Sequence, residues 1–136
     1  MTPYGPEYYA ARRMSRGNEE HVPRTMAKLR RVVDLGPGTR LLEVGCGLGT
    51  LTRPLAAEVA SVSAIDLSAH ALAQARAAGV PANVDLVEAD ALTFRTRSKF
   101  DVVLAMAVFE HFDAGEQARF LERARGWLAP GGRLVL

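Results

Sequence analysis

Apolar runs and amphipathic stretches alternate along the chain in a regular order. Short apolar or alternating segments bounded by turn formers predict buried strands, and segments with helical spacing or strong helix formers predict helices. The predicted strands cover residues 40–45, 61–66, 83–90, 100–108 and 133–136. The predicted helices cover residues 7–14, 22–35, 50–60, 69–78 and 114–128. This alternation indicates an α/β fold with a parallel sheet, right-handed crossovers and helices on both faces.

Length and composition favour one folded domain. The 136 residues suit a domain of about 100–150 residues, so we expect a single domain over 1–136 in which residues 1–35 form an N-terminal helical arm. No stretch approaches the roughly 18–20 apolar residues of a membrane span, and the N-terminus lacks the apolar centre of a signal peptide. The single cysteine, Cys46, excludes an internal disulfide. We therefore predict a cytoplasmic protein with no membrane partner.

The net charge of +2 is unevenly distributed. Residues 1–40 carry a net charge of +4 and the remainder a net charge of −2. This basic arm has two interpretations: a solvated helix face, or a surface that attracts an anionic substrate or a nucleic acid. Because no aromatic-rich basic patch accompanies it, nucleic-acid binding is disfavoured, and a steep salt dependence of RNA binding would be the sign of it.

The stretch "LLEVGCGLGTLT" (41–52) places three glycines directly after the first predicted strand. Gly45 permits a turn, Gly47 lets the backbone approach a ligand, and Gly49 lets the next helix begin close to the strand. The spacing departs from a dinucleotide fingerprint, whose third glycine would replace Thr50. A purely structural turn remains the alternative interpretation.

Two aspartates at the ends of the next two strands favour a ligand. Asp66 ends the second strand, where an acid can accept both hydroxyls of a ribose. Asp90 ends the third strand, where a carboxylate can accept from an adenine amino group. Either acid alone would also suit a strand end or a helix cap. Together with the glycine loop, the two acids predict an adenosine-containing ligand at the carboxyl ends of the strands.

These segments resemble the class I S-adenosylmethionine-dependent methyltransferases. "LLEVGCGLGTLT" and "VSAIDLS" are similar to the first two motifs of that family, and "VEADAL", "FDVVLAMAVFEHF" and "LAPGGRLVL" to the later ones. The resemblance covers about residues 30–136, and the nearest-looking branch contains the ubiquinone- and menaquinone-biosynthesis methyltransferases. It implies a Rossmann-like sheet of order 3-2-1-4-5, S-adenosylmethionine as cofactor, and methyl transfer to a small-molecule acceptor.

The resemblance also assigns roles to individual residues. Its implied cofactor residues are Glu43 and the backbone of Gly45, Cys46 and Gly47 for the methionine part, with Gly49 completing the loop; Asp66 for the ribose; Leu67 over the adenine; Asp90 and the backbone of Ala91 at the adenine edge; and the backbone around Ala105 and Met106 near the amino group. A residue from the leading helices would meet the cofactor carboxylate or cap the cavity. The candidates for that role are Tyr8, Tyr9, Arg13 and Arg16.

Catalysis of methyl transfer needs alignment of the reacting atoms and, for a protonated acceptor, a base. His111 is the candidate base and Glu110 its orienting partner, because both follow the fourth predicted strand. The alternative is that Glu110 caps the helix from residue 114 and His111 is an ordinary polar residue. Some ubiquinone-type relatives carry a metal-binding acid three residues before the glutamate. That position is Ala107 here, so we predict no metal site.

The sequence stops within the fifth predicted strand, whereas the family continues with two more strands. We therefore expect the sixth and seventh strands to be absent and the apolar "RLVL" to form a sheet edge. Three interpretations stay open: a piece of a longer protein, a naturally short member, or a homodimer whose second copy covers this edge. We favour the homodimer. The functional alternatives are an inactive cofactor-binding partner and a nicotinamide-dependent oxidoreductase, and Thr50 argues against the latter.

Overall fold

Helices and strands alternate as the hydrophobic pattern predicts. The computed structural model describes Glu7 and residues 17–136. The strands are β1 (Arg40–Val44), β2 (Ser61–Asp66), β3 (Val84–Glu88), β4 (Phe100–Leu104) and β5 (Leu128–Val135). The helices are α1 (Gly17–Val32), α2 (Thr52–Ala56), α3 (Ala69–Ala77) and α4 (Ala114–Trp127), and a 3₁₀ turn (Phe109–His111) precedes α4.

The five strands form one sheet in the order β3-β2-β1-β4-β5, and every neighbouring pair is parallel. This confirms the predicted Rossmann-like α/β fold. The "APGG" segment does not precede β5 as a separate turn. It lies inside the strand as an irregularity, because Phe100 pairs with Leu128 while Val102 pairs with Arg133.

The sheet is covered on both faces, as predicted. Side chains of adjacent strand residues point to opposite faces, so Leu41 packs with one layer and Leu42 with the other. The first layer contains Met26 and Leu29 of α1 together with buried residues of α2 and α3. The second layer contains the buried face of α4, namely Phe120, Ala124 and Trp127. The central strands β1 and β4 are therefore buried from both sides.

Several predicted boundaries differ from the structure. The predicted helix over 22–35 begins earlier and ends at Val32, and the helix over 50–60 is regular only over Thr52–Ala56. The predicted fourth strand extends to residue 108, but β4 ends at Leu104. The apolar sequence continues past that end, whereas the backbone turns away and reaches a positive φ of 71° at Ala107. The predicted helix over 7–14 lies outside the described residues, apart from Glu7.

Side-chain caps fix where two helices begin. Ser68 accepts a 3.1 Å hydrogen bond from the amide of Ala71 and caps α3, as its residue type predicts. Asp113 and Glu116 form a reciprocal capping box at the start of α4. Since Asp113 performs this role, Glu110 is not the cap of α4. Within the described part of the chain, every helix is too short or too polar to cross a membrane.

Candidate functional site

The glycine loop after β1 is held against β2 by its own amides. The N–H groups of Gly45 and Cys46 both donate to the carbonyl of Ile65, at 2.8 and 3.1 Å. Gly45 has a φ of 79°, and a Cβ there would lie only 2.2 Å from Cγ2 of Val108. The bare backbone at Gly45 is therefore explained by the turn and by the close approach of Val108.

The other end of the loop is fixed to α3. Gly49 is buried with a φ of 76°, and a Cβ there would lie 3.4 Å from Cβ of Ala75. The guanidinium of Arg53 donates to four carbonyls at 3.0–3.3 Å, those of Leu48, Gly49, Ala75 and Gly79. The third glycine and Arg53 thus set the path of the chain from the loop into α2.

Asp66 connects the loop to the start of α3. Its Oδ2 accepts a 2.8 Å hydrogen bond from the amide of Gly47, and its Oδ1 accepts one of the same length from the amide of Ser68. The side chain is 8% exposed. The carboxylate therefore joins the end of β2 to both the glycine loop and the start of α3.

A cavity of about 350 Å³ lies beside this loop. It is lined by residues of α1, of β1 and the glycine loop, and of the segment after β4, namely His21, Val22, Thr25, Glu43, Gly45, Cys46, Gly47, Leu48, Thr50, Leu51, Met106 and Ala107. Five of the residues assigned to the cofactor from sequence are in this set: Glu43, Gly45, Cys46, Gly47 and Met106. The structure therefore brings the predicted methionine-binding group together at the carboxyl ends of β1 and β4.

Glu43 is the buried acid of this cavity. It is 5% exposed, and its Oε2 accepts a 2.6 Å hydrogen bond from the hydroxyl of Thr52. Burial and the nearby negative charge of Asp66 raise the pKa of Glu43 from its usual 4.5 to about 7, although the Thr52 hydrogen bond opposes this shift. The charge of Glu43 is thus sensitive to its surroundings near neutral pH.

Cys46 is a packing residue. The side chain is 6% exposed and belongs to the core layer that contains α1 and α3. Burial, with the negative charges of Glu43 and Asp66, raises the pKa of the Cys46 thiol far above its usual range. A thiol in this environment stays protonated and is a poor nucleophile.

The residues predicted for the adenine end lie outside the cavity lining. Asp90 is half-buried two positions beyond the end of β3, and its Oδ1 accepts a 2.8 Å hydrogen bond from the amide of Leu92. Its carbonyl accepts from the amides of Thr93 and Phe94, so Asp90 also organises a turn. Ala91 is half-buried, whereas Leu67, on the neighbouring β2–α3 connection, is 40% exposed.

The segment after β4 carries four of the predicted residues, and of these Met106 lines the cavity. Ala105 is fully buried, and its amide donates to the carbonyl of Val135 at 2.9 Å, so its side chain and N–H belong to the core and the sheet. Met106 lines the cavity, but Glu110 and His111 are exposed on the 3₁₀ turn and are not in its lining. Arg16, with Tyr8, Tyr9 and Arg13, lies outside the described residues.

Some residues that line the cavity were not predicted from the sequence as site residues. His21, Val22 and Thr25 of α1 line the cavity, and their spacing fits one side of a helix. That spacing was the available signal, but nothing in the sequence shows which layer of the fold α1 joins. Among the described residues, no group of three or more His, Cys, Asp or Glu side chains is arranged to bind a metal.

A second cavity, of about 420 Å³, lies at the opposite end of the sheet. Its lining includes Thr39 just before β1, Asp101 and Val102 of β4, and Arg133 of β5. Ligands of open parallel sheets bind beyond the carboxyl ends of the strands, which is where the glycine loop and Glu43 lie. The cavity beside the glycine loop is therefore the candidate site.

Comparison with known proteins gives a consistent family. A family model described as "Methyltransferase domain" matches residues 41–132. A ubiquinone biosynthesis O-methyltransferase from Nitrobacter winogradskyi is 35% identical over 100 residues, which are 72% of this chain and 38% of that protein. The chain thus spans well under half the length of this curated relative.

Solved structures extend the same comparison. The structure of a DhpI–SAH complex has a TM-score of 0.79 and 26% identity, and the match covers 96% of this chain and 61% of that chain. SAM-bound CalS10, an amino pentose methyltransferase from Micromonospora echinaspora, has a TM-score of 0.73 and 27% identity over 98% of this chain and 56% of that chain.

Proposed function

Because the chain belongs to the class I S-adenosylmethionine-dependent methyltransferase family, we propose that it binds S-adenosylmethionine at the glycine loop and transfers the methyl group to a small-molecule acceptor. The observation that carries this proposal is the buried carboxylate of Glu43 in the cavity wall beside the loop. A negative charge there suits the cationic methionine part of the cofactor. Asp66 holds the amide of Gly47 from the end of β2, and its carboxylate is the proposed acceptor for the ribose hydroxyls.

The remaining binding roles are part of the same proposal. Glu43 and the backbone of Gly45, Cys46 and Gly47 hold the methionine part, and Gly49 keeps the loop in place. Asp66 binds the ribose, Leu67 covers the adenine, and Asp90 with Ala91 contacts the adenine edge. The backbone at Ala105 and Met106 closes the pocket near the amino group, and Arg16 meets the cofactor carboxylate. The exposure of Leu67 and the half-burial of Asp90 leave both accessible to a ligand that extends from the cavity along β2 and β3.

The chain's contribution to catalysis is chiefly alignment. Bound S-adenosylmethionine supplies a methyl group on a positively charged sulfur. The residues of the cavity hold the acceptor in line with this group and exclude water from the reacting atoms. Alignment of this kind can lower a barrier by about 7–11 kcal/mol. A base adds to it only when the acceptor carries a proton to be removed.

His111 is the proposed base and Glu110 its orienting partner. Both belong to the segment that begins at Met106 and Ala107 in the cavity wall. His21 of α1 is the matched comparison, since it lines the cavity but was not a sequence candidate. We expect His111→Gln to lower kcat for a hydroxyl acceptor by about 10²-fold or more, with KM for the cofactor unchanged. A loss of kcat in His21→Gln but not in His111→Gln would contradict this assignment.

Cofactor binding and methyl transfer test the function directly. We expect S-adenosylmethionine and S-adenosylhomocysteine to bind and raise the melting temperature, and NAD to do neither. The activity test uses phenols and catechols, since the related ubiquinone biosynthesis enzyme is named as an O-methyltransferase. Absence of binding by either sulfur ligand would contradict the proposal. Binding without transfer to any acceptor would instead favour an inactive cofactor-binding partner.

The wider setting of the chain is also proposed. Residues 1–136 act as a single domain with a helical arm over 1–35, in the cytoplasm, and as a homodimer that covers the edge of β5. In the described residues β5 pairs only with β4, and Leu134 and Val135 near its end are half-buried. We expect light scattering to give the mass of a dimer. A monomeric mass at every concentration would contradict the dimer.

A further inference from the structure

Thr52 lies directly after the glycine loop and contacts the buried acid of the cavity. It is the first residue of α2, nine positions after Glu43 at the end of β1, and it is 2% exposed. Its hydroxyl donates to Oε2 of Glu43 at 2.6 Å. Glu43 lines the cavity but Thr52 does not. Thr52 therefore reaches the cavity through its hydrogen bond to Glu43.

We propose that Thr52 is a positioning residue for cofactor binding, because its hydrogen bond fixes the orientation of Glu43 and keeps that carboxylate charged for a cationic group in the cavity. This inference rests on the proposed function, which places the ammonium and sulfonium of the cofactor beside Glu43. A hydrogen bond donated to a carboxylate stabilises the ionised form over the protonated form.

The charge of Glu43 depends on a balance of opposing effects. Burial favours the neutral acid and brings the pKa of Glu43 to about 7, while the Thr52 hydroxyl favours the carboxylate. Because the pKa of Glu43 lies near neutral pH, loss of this one hydrogen bond changes the fraction of Glu43 that is ionised. Thr39 is also a buried threonine, but its hydroxyl donates to the carbonyl of Asp34 at the other end of the sheet, so we expect it to have no effect on the charge of Glu43.

Other groups also face Glu43 or share its cavity. Asp66 of β2 carries a negative charge that raises the pKa of Glu43. Cys46 in the loop keeps its proton, because burial raises the pKa of the thiol. His21 of α1 places an imidazole in the lining of the same cavity. The test therefore includes a background in which His21 is replaced by Gln.

The experiment measures the affinity for S-adenosylhomocysteine by titration calorimetry from about pH 5.5 to about pH 8.5, which brackets the pKa of Glu43. In the native protein we expect affinity to rise with pH through about 7 and then to level off. Thr52→Val should move this midpoint upward by about one pH unit, which makes binding about tenfold weaker below both midpoints. Affinity should recover toward the native value at the highest pH.

Four further variants separate control of the Glu43 charge from simple support of the fold. Thr52→Ser keeps the hydroxyl and should keep the native midpoint, and Glu43→Gln should remove the pH dependence. The shift caused by Thr52→Val should persist in the His21→Gln background. Thr39→Val is the matched control, since Thr39 is also buried and donates to the carbonyl of Asp34 at 3.0 Å, but lines the cavity at the other end of the sheet. It should leave the midpoint unchanged.

The outcomes distinguish this inference from the proposed function. An equal loss of affinity at every pH in Thr52→Val would show a purely structural role and overturn the inference, as would a midpoint shift in Thr52→Ser as large as that in Thr52→Val. A pH dependence retained in Glu43→Gln would also overturn it. Failure of the native protein to bind at any pH would instead overturn the proposed function itself.

Discussion

The loop after β1 and the segment after β4 lie at the same end of the sheet, but they are fixed in different ways. The glycine loop is tied to β2 by hydrogen bonds to the carbonyl of Ile65 and the carboxylate of Asp66. The segment after β4 leaves the sheet at Ala105, passes a positive φ at Ala107, and carries exposed Glu110 and His111. One region has its shape set by neighbouring strands, and the other turns outward.

This difference matches two requirements of the proposed reaction, which are binding of the cofactor and binding of the methyl acceptor. A cofactor shared by a whole family can be held by backbone amides and buried acids that are fixed before it arrives, as at the glycine loop. An acceptor that varies between enzymes is better contacted by exposed side chains on a segment with fewer ties to the sheet. The two regions touch where Val108 packs over Gly45, so they are not mechanically independent.

Removal of the acid that ties the loop to β2 should have the largest effect. Asp66→Ala deprives the amides of Gly47 and Ser68 of their acceptor and removes the proposed ribose contact. We expect affinity for S-adenosylhomocysteine to fall by at least about 100-fold, because each hydrogen bond to a charged group contributes about 1.5–3 kcal/mol. Calorimetry measures the loss. Asp85→Asn, on the exposed face of the neighbouring β3, is the control and should bind normally.

A methyl group at Gly45 should test the contact between the two regions. Gly45→Ala combines a disfavoured φ with a clash against Val108, and we expect the free energy of unfolding to fall by about 2–5 kcal/mol. In a double-mutant cycle, Val108→Ala should relieve the clash but not the backbone strain. Strict additivity of the two changes in urea unfolding would show that the regions do not interact.

Replacement of the buried acid should change the pH dependence of stability. Because the pKa of Glu43 in the folded protein is raised to about 7, its contribution to stability is full below its unfolded pKa of 4.5 and is lost as pH rises through 7. In the absence of ligand, the difference in unfolding free energy between the native protein and Glu43→Gln should change over this range by up to about 3 kcal/mol. A difference that is constant with pH would contradict the raised pKa.

A glycine outside both regions should give the smallest effect, with the opposite sign. Gly126 lies in α4, and a Cβ there meets no other atom within 4 Å. We expect Gly126→Ala to raise the free energy of unfolding by about 0.5–1 kcal/mol, because alanine costs less conformational entropy in a helix. Chemical unfolding beside Gly45→Ala provides the comparison. If both variants were destabilised, the positive φ of Gly45 and its contact with Val108 would not explain the loss of stability in Gly45→Ala.

The sequence predicted the regions that depend on local pattern. The bounds of β2 match the prediction of 61–66, and Ser68 caps α3 as its residue type indicates. The glycine loop follows β1 because glycine adopts the positive φ values of this loop, 79° at Gly45 and 76° at Gly49, at little steric cost. Periodicity and turn chemistry are local properties, so they can be read from one sequence.

Features that depend on tertiary packing could not be predicted. The sequence "AMAV" after β4 continues an apolar pattern, but the strand ends because the backbone turns at Ala105–Ala107. The position of His21 in the cavity depends on the layer that α1 joins. The contact between Thr52 and Glu43 depends on the path of the loop between them, which the spacing of nine residues does not reveal.

A crystal structure of the chain with S-adenosylhomocysteine would show directly whether the cofactor binds at the glycine loop. We expect the adenosyl group to lie across the carboxyl ends of β1–β3, with its ribose hydroxyls within hydrogen-bond distance of Asp66 and the amino group of its homocysteine part beside Glu43. A ligand seated instead in the cavity at the opposite end of the sheet, with no contact between its ribose and Asp66, would contradict the proposed cofactor site.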